Sequence, residues 1–384
     1  MTVLHTSDWH IGKRLMDRER LEEQIEALDE ISEICDREGV EVVLVAGDVF
    51  DTYLPPAEAE EVFYCTVKKL AGEHRAVVVV SGNHDDGVRV AAAAALAEEH
   101  GIYIFGNQPT VMRTGSDRPV HVVASGEGYI LLENEKGERL YINALPYPNE
   151  ARFKEEKTEE TYPEKVARWI SRGEAGYDKA AAHIILSHLF VAGGKTSESE
   201  RDIDLGGARA VPVRLFPEGA YVALGHLHKK QKLGESVYYS GSLLQYSFDE
   251  ANTQKCVIVF DTQGNAVNNI REVPLRSGKK LVRLECNGVP EALALLPQYE
   301  NSYIELTLHL DAPLSSMETQ ALGDANRGLV SLIALVAGGE STELVCRSRL
   351  SSRELFSEYY QSVYGTEADG ALTEAFLSLL TEEV

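Results

Sequence analysis

Val42-Val43-Leu44-Val45-Ala46-Gly47-Asp48-Val49-Phe50-Asp51 decides how this chain is read. Five apolar residues in a row, stopped by a glycine, predict a strand buried on both faces. Asp48 follows at the strand's carboxyl end, where an open α/β sheet places its ligands. The pattern recurs on both sides. Residues 3–7 read as a strand ending in Asp8-Trp9-His10, and residues 77–81 as one ending in Gly82-Asn83-His84-Asp85. Residues 184–187 lead to His188, and 222–224 to Gly225-His226-Leu227-His228. Between the first strands, Leu21, Ile25, Leu28 and Ile31 recur at helical spacing, and Pro55-Pro56 suits the entry to another helix. The alanine-rich stretch at 91–95 reads as a tightly packed helix. Strands alternating with helices predict an α/β fold over residues 1–280.

Beyond residue 120 the pattern turns to shorter strands, at 120–124, 140–144, 237–240 and 256–260. The mixed-charge stretch 152–160 lacks an apolar face and reads as solvated, while 193–209, rich in Gly, Ser and charge, reads as a long surface loop. Lysine disappears after Lys280: residues 281–384 hold five Arg, no Lys and 16 Asp plus Glu. That compositional seam is the expected domain boundary. Past it, Ile304, Leu306, Leu308 and Leu310 alternate with polar residues as a half-buried strand, flanked by helical patterns at 290–296 and 315–332. Two amphipathic stretches, 353–364 and 372–380, end the chain. They are read either as packing on their own domain or as a helical hairpin that docks on a partner's helices.

The chain has 384 residues, enough for two domains, and 44% hydrophobic with 26% charged residues is a globular composition. No apolar run approaches the roughly 18 residues of a membrane span. The first residues enter a strand with no signal region, and Cys35, Cys65, Cys256, Cys286 and Cys346 are odd in number without C-x-x-C spacing. A cytoplasmic location without disulfides or a zinc ribbon is expected. The net charge of −24 should repel nucleic acid at long range.

The strand-end residues explain how such an acidic chain can still act on a phosphodiester. Asp8 and His10 lie two apart on one strand end and share a face, as do His226 and His228. Asp48 can bridge two cations, Asn83 offers a neutral carbonyl oxygen and His188 another imidazole. Mixed oxygen and nitrogen donors suit a pair of divalent ions such as Mn²⁺, with Mg²⁺ as a substitute. Two such ions against Asp8, Asp48 and a hydroxide leave roughly one positive charge facing a substrate. A dinuclear site of this type hydrolyses phosphoesters by in-line attack. His84, one residue past Asn83, should point away from the metals, placed to protonate a leaving oxygen or steady its charge. Asp51 and Asp85 read as carboxylates that orient histidines. Alone, each motif is weak, and His5, His74, His100, His121, His183 and His309 are given ordinary polar roles. Five motifs in this order, each after an apolar strand, make a strong signal.

The set D-x-H, G-D-x-x-D, G-N-H-D, isolated H and G-H-x-H resembles the calcineurin-like metallophosphoesterases. The opening His5-Thr6-Ser7-Asp8-Trp9-His10-Ile11-Gly12-Lys13, Ala223-Leu224-Gly225-His226-Leu227-His228 and Tyr239-Ser240-Gly241-Ser242-Leu243 are similar to the SbcD-type nucleases within them. The resemblance runs over nearly the whole chain and is closest over the first 260 residues. It implies a four-layer sandwich of two mixed β-sheets flanked by helices (1–280), a small α/β capping domain (281–350) and C-terminal helices (351–384). It also implies a Mn²⁺-dependent DNA nuclease, with 3′→5′ exonuclease activity on duplex ends and endonuclease activity on single strands and hairpins. Such enzymes serve DNA repair, recombination and replication. One metal would take Asp8, His10, Asp48 and His228, the other Asp48, Asn83, His188 and His226, with His84 in the acid role. The implied partners are DNA, an SbcC-type ABC ATPase on the C-terminal helices and a second copy of the chain, in a heterotetramer. Such an ATPase would supply a basic DNA path. Lys13-Arg14, Arg89 and Lys229-Lys230-Lys232 are the candidates for phosphate contacts in this chain. Archaeal and eukaryotic relatives tend to carry histidine where Asp51 stands, so any role of that histidine does not transfer.

Two other readings compete. A phosphoprotein phosphatase or small-substrate phosphodiesterase is disfavoured by Asp85, since phosphatases usually show G-N-H-E, and by the long cap. A scaffold that has lost its chemistry is disfavoured because all seven candidate ligands are of the right type.

Overall fold

The computed structural model of the protein describes residues 1–107, 111–153, 159–200, 209–337 and 342–344, with Tyr360 and Leu372. Two units form: Met1–Leu15 with Glu19–Lys279, and Met16–Arg18 with the described residues from Lys280 onward. The described residues of the lysine-free stretch therefore lie in the second unit.

The first unit opens with β1 (Thr2–Thr6), α1 (Leu21–Glu38), β2 (Val42–Ala46), α2 (Ala57–Ala71) and β3 (Ala76–Val80). Two single-turn helices follow, α3 (Gly87–Val90) and α4 (Ala94–Ala97), and then β4 (Ile102–Phe105). The next run is β5 (Val120–Gly126), β6 (Tyr129–Asn134), β7 (Arg139–Leu145), α5 (Tyr162–Gly173), β8 (Ala182–His188) and β9 (Tyr221–Gly225). It closes with β10 (Gln231–Leu233), β11 (Val237–Tyr239), β12 (Cys256–Gln263) and β13 (Ala266–Pro274). One sheet has the order β13-β12-β1-β2-β3-β4, parallel from β1 to β4 and antiparallel beyond β1; the other is β10-β11-β9-β8-β7-β6-β5, with β7, β8, β9 and β11 parallel.

Alternation along the strands sorts side chains into three cores. Val43 and Val45 of β2 pack with Leu28, Ile31, Phe63 and Val67 of α1 and α2. Val42, Leu44 and Ala46 face Leu140, Ile142, Ile184 and Leu186 in a core between the sheets. Ile185, Val222 and Leu224 turn outward to Val166, Trp169 and Ile170 of α5. The result is helix, sheet, sheet, helix: the four-layer α/β sandwich. Burying each such aliphatic side chain contributes roughly 1.5–3 kcal/mol.

The alanine-rich stretch differs from the helix expected there, because turns separate α3 from α4. A Cβ on Gly106, just after β4, would collide with the Gly87 carbonyl and Ala91, so the two segments touch through their backbones.

The second unit has its own sheet, β14 (Lys280–Cys286), β15 (Ser302–Leu310), β16 (Leu329–Val336) and β17 (Thr342–Leu344), parallel across the first three strands. It is packed by α6 (Val289–Leu295) and α7 (Ser316–Ala325) around Leu284, Leu306, Leu308 and Leu322. The helix expected over 315–332 stops at Ala325, and the residues after Gly328 form β16. Ser315 caps the start of α7 reciprocally with Glu318. The stretch Leu329-Val330-Ser331-Leu332-Ile333 also fits strand spacing, and its β-branched residues favour the sheet. The helices expected at 353–364 and 372–380 lie outside the described residues, apart from Tyr360 and Leu372. Among the described residues no helix is long and apolar enough to cross a membrane.

Candidate metal centre

Strands β1, β2, β3, β8 and β9 end close together, and backbone bonds lock their tips. Asp8 N donates to the Gly47 carbonyl (3.1 Å) and His10 N to the Asp48 carbonyl (2.9 Å). The His188 ring crosses from β8 to the Ala46 carbonyl of β2, Nδ1 to oxygen 2.9 Å. A Cβ on Gly82 would strike Asp48, and one on Gly225 would strike the Ala46 carbonyl, so both motif glycines are required by close approach. Six non-glycine residues among those described have positive φ, and four of them are Asp8, His10, Asp48 and His226. The left-handed backbone costs about 1–2 kcal/mol per residue, and it gathers where side chains must be aimed.

All seven candidate ligands and His84 are buried. Among the described residues, three groups of ligating atoms each lie within 4.8 Å of one another: Asp8, His10 and His228; Asp8, Asp48 and His188; His10, Asp48 and His84. His10 and His228 bring their Nε2 atoms to 2.9 Å. Asp48 Oδ2 stands 3.3 Å from His188 Nε2 and 3.6 Å from His10 Nε2, between the two sets of donors. Asn83 Oδ1 lies 2.8 Å from His188 Nε2 and 3.1 Å from His226 Nδ1. Two carboxylates, one amide oxygen and four imidazoles, buried and convergent, form a donor set that fits two divalent ions with mixed oxygen and nitrogen ligation.

His84 stands against this cluster rather than pointing away from it, its ring 4.7 Å from that of His10. Its Nδ1 is 2.7 Å from the Asp51 carbonyl, which can only accept, so Nδ1 carries the proton and Nε2 is the atom free to act. The Asp51 carboxylate lies 3.5 Å from His10 Nδ1 and 2.8 Å from Lys13 Nζ. Asp85 serves differently from the histidine-orienting role expected of it. Its carboxylate accepts Val49 N (3.1 Å), Phe50 N (2.9 Å) and Gly82 N (2.8 Å), tying the Asp48 loop to the Asn83 loop.

Charge follows geometry. Burial pushes the Asp8 carboxyl up to about 7, against the pull of His188. Asp48 is buried too, yet the neighbouring charges of His188 and His84 hold its carboxyl well below the usual range. Burial lowers His10 to about 4, with Lys13 adding to the fall. Burial also opposes charge on His188, but the Asp48 carboxylate overrides it and raises this imidazole to about 9. A metal ion bound by His188 would have to displace that proton, so loading and protonation would compete.

Two contributions had no sequence signal. Arg152, placed in the solvated stretch by its charge pattern, donates to the carbonyls of Gly82 (2.7 Å), Asn83 (3.0 Å) and Asp85 (2.7 Å). Its guanidinium also lies 5.1 Å over the Tyr147 ring. Ser197 and Glu200, in what read as a surface loop, are buried, and Glu200 Oε1 accepts His228 N at 2.7 Å. The basic residues near the motifs are engaged: Lys13 with Asp51, Arg14 with Glu19, Arg89 with Glu60, Lys229 with Asp249 and Lys230 with Glu272. Lys232 lies 5.2 Å over the Tyr238 ring.

Residues 1–230 match the calcineurin-like phosphoesterase family. The chain is 34% identical over 397 residues to the D subunit of the nuclease SbcCD from Bacillus subtilis (strain 168), spanning 99% of this chain and 97% of that protein. Proteins of the same name show 31% identity in Staphylococcus epidermidis, over 74% of this chain and 72% of the relative, and 34% in Rhodobacter capsulatus, over 86% and 85%.

Proposed function

The chain belongs to the calcineurin-like phosphoesterases and, within them, to the SbcD family of nucleases, and from that premise we propose that it is a two-metal DNA nuclease. The observation that supports this most is the convergence of Asp8, His10, Asp48, Asn83, His188, His226 and His228 in one buried cluster with His84 at its side. Asp8, His10, Asp48 and His228 would hold one divalent ion, and Asp48, Asn83, His188 and His226 the other. Such ions supply a nucleophile at neutral pH and neutralise charge on the phosphate. Asp48, whose carboxylate stands between the two sets of donors, would serve both ions. His84, held by the hydrogen bond that its Nδ1 donates to the Asp51 carbonyl, would give a proton from Nε2 to the leaving oxygen.

Mn²⁺ is the proposed ion, on the strength of the mixed donor set, with Mg²⁺ as substitute. The proposed reactions are 3′→5′ exonucleolytic cleavage of duplex ends and endonucleolytic cleavage of single strands and hairpins. DNA phosphates reaching Lys13, Lys229 or Lys230 would exchange with the carboxylates these residues now hold, which makes binding sensitive to salt. The relatives' name, a subunit of SbcCD, supports an SbcC-type ATPase as partner, and the amphipathic stretches at 353–380 are its proposed docking segment. A second copy of the chain would complete the assembly.

The test is incubation of the full chain with end-labelled duplex and hairpin DNA, and with a phosphopeptide, in Mn²⁺ and in EDTA. Cleavage of DNA in Mn²⁺ alone is expected. Phosphopeptide hydrolysis with intact DNA would replace this reading by a phosphatase.

A further inference from the structure

The backbone N–H, the backbone carbonyl and the ring Nδ1 of His228 are each held by a residue outside the five motifs. Its backbone N–H is taken by Glu200 (2.7 Å), its carbonyl receives Lys255 Nζ (2.8 Å), and its Nδ1 lies 2.5 Å from Ser199 Oγ. Ser199 donates to Glu250 Oε1 at 2.7 Å, and Glu250 is paired through its other oxygen with Lys255. Glu250 is fully buried and Lys255 nearly so. Lys255 gives its remaining protons to the His228 carbonyl and to Ser242 Oγ (2.8 Å), so the ammonium is fully used and stays in place.

These contacts have only one consistent polarity. A carboxylate can only accept, so the single proton of Ser199 goes to Glu250. The Ser199 oxygen must then accept, from Ser197 Oγ at 3.0 Å and from His228 Nδ1. His228 therefore carries its proton on Nδ1 and turns a bare Nε2 toward His10 Nε2, the position where the cluster needs a lone pair.

We propose that Ser199, backed by Glu250 and Lys255, is a positioning residue that fixes the tautomer and aim of His228 and so sets the affinity of one metal of the pair. The proposal rests on the two-metal reading above. Imidazole ligands generally need such a partner on their second nitrogen, and losing it typically costs roughly 10–100-fold in metal affinity. Here the partner is a serine interposed before the carboxylate, on a segment that reaches His228 from the chain between β8 and β9.

The test is calorimetric and EPR titration of Mn²⁺ into the metal-free full chain, as wild type, Ser199→Ala, Ser199→Thr and Glu250→Gln. Wild type should bind two ions. Ser199→Ala should leave one ion unchanged and weaken the other roughly 10–100-fold, with thermal unfolding of the metal-free protein little altered. Ser199→Thr should restore binding, and Glu250→Gln, whose amide can donate to Ser199 and reverse the chain of bonds, should not. Wild type binding two ions with Ser199→Ala binding both equally well would overturn the proposal alone. Wild type binding no Mn²⁺ would overturn the two-metal reading and this inference with it. Equal loss of both ions, unrelieved by Ser199→Thr, would reduce Ser199 to a packing role and also overturn it.

Discussion

In the first unit, β1, β2, β3, β8 and β9 deliver Asp8, Asp48, Asn83, His188 and His226 from their carboxyl ends. In the second, the parallel strands β14, β15 and β16 deliver Asn287, Asp311 and Ala337 to a cavity of about 530 Å³ that His309 also lines. Both the cluster and this cavity lie where parallel sheets ordinarily bind ligands. His309 is spent on Glu285 across the strand pair (2.5 Å), and no group of three ligating side chains forms there among the described residues. From Lys280 onward no described non-glycine residue has positive φ, whereas four of the first unit's candidate ligands do. Sheet architecture thus provides a location, and chemistry requires residues held against local backbone preference. The hydrogen bonds between loop tips, and the Asp85 carboxylate joining two of them, offset that cost.

The sharpest way to break this contrast is to change the acid and leave the ligands. His84→Gln should lower DNA cleavage by about 10²–10⁴-fold, the usual worth of a positioned general acid. Calorimetry should still count two Mn²⁺ ions, because His84 is absent from both proposed ligand sets. Cleavage at the wild-type rate would remove His84 from the chemistry.

A smaller effect is expected from the residue that holds the Asn83–His84 loop from outside. Arg152→Met removes three donors to that loop. A misplacement of about 1 Å can slow a reaction by up to roughly 10²-fold, so turnover should fall roughly 10- to 100-fold while KM stays nearly constant. Should KM rise while turnover holds, Arg152 would be binding DNA phosphate and not positioning the loop.

Much of the first unit can be read from its strands because a run such as residues 42–46, buried on both faces, leaves few alternatives. The candidate ligands are readable because their motifs follow such runs directly. What cannot be read is any partner that arrives from far along the chain. Ser199 reaches His228 across 29 positions, and Arg152 reaches Gly82 across 70. Neither separation leaves a periodic trace, and both residues sit in stretches whose composition suggests solvent. Asp85 misleads for a related reason. A carboxylate beside a histidine invites a role in orienting it, whereas three convergent backbone N–H groups become visible only once two loops meet. In the second unit, residues 315–332 satisfy helical spacing until the chain passes Gly328, where β-branched residues and pairing with β15 take over.

The contrast also predicts where loss should leave chemistry untouched. Every candidate ligand, together with His84, Arg152 and Ser199, belongs to the first unit. The amphipathic stretches at 353–380 contribute no proposed ligand. Deleting residues 353–384 should therefore keep Mn²⁺-dependent cleavage of short DNA within about twofold of the full chain, since substitutions remote from a site and its supports usually act independently of it. The same deletion should abolish association with the proposed SbcC-type ATPase in a pull-down, because the apolar residues of those stretches are the proposed contact with a partner's helices. Undiminished association would move the docking segment elsewhere in the chain. A large loss of cleavage would mean that the second unit shapes the site after all, and the division between a unit that performs chemistry and one that recruits a partner would fail.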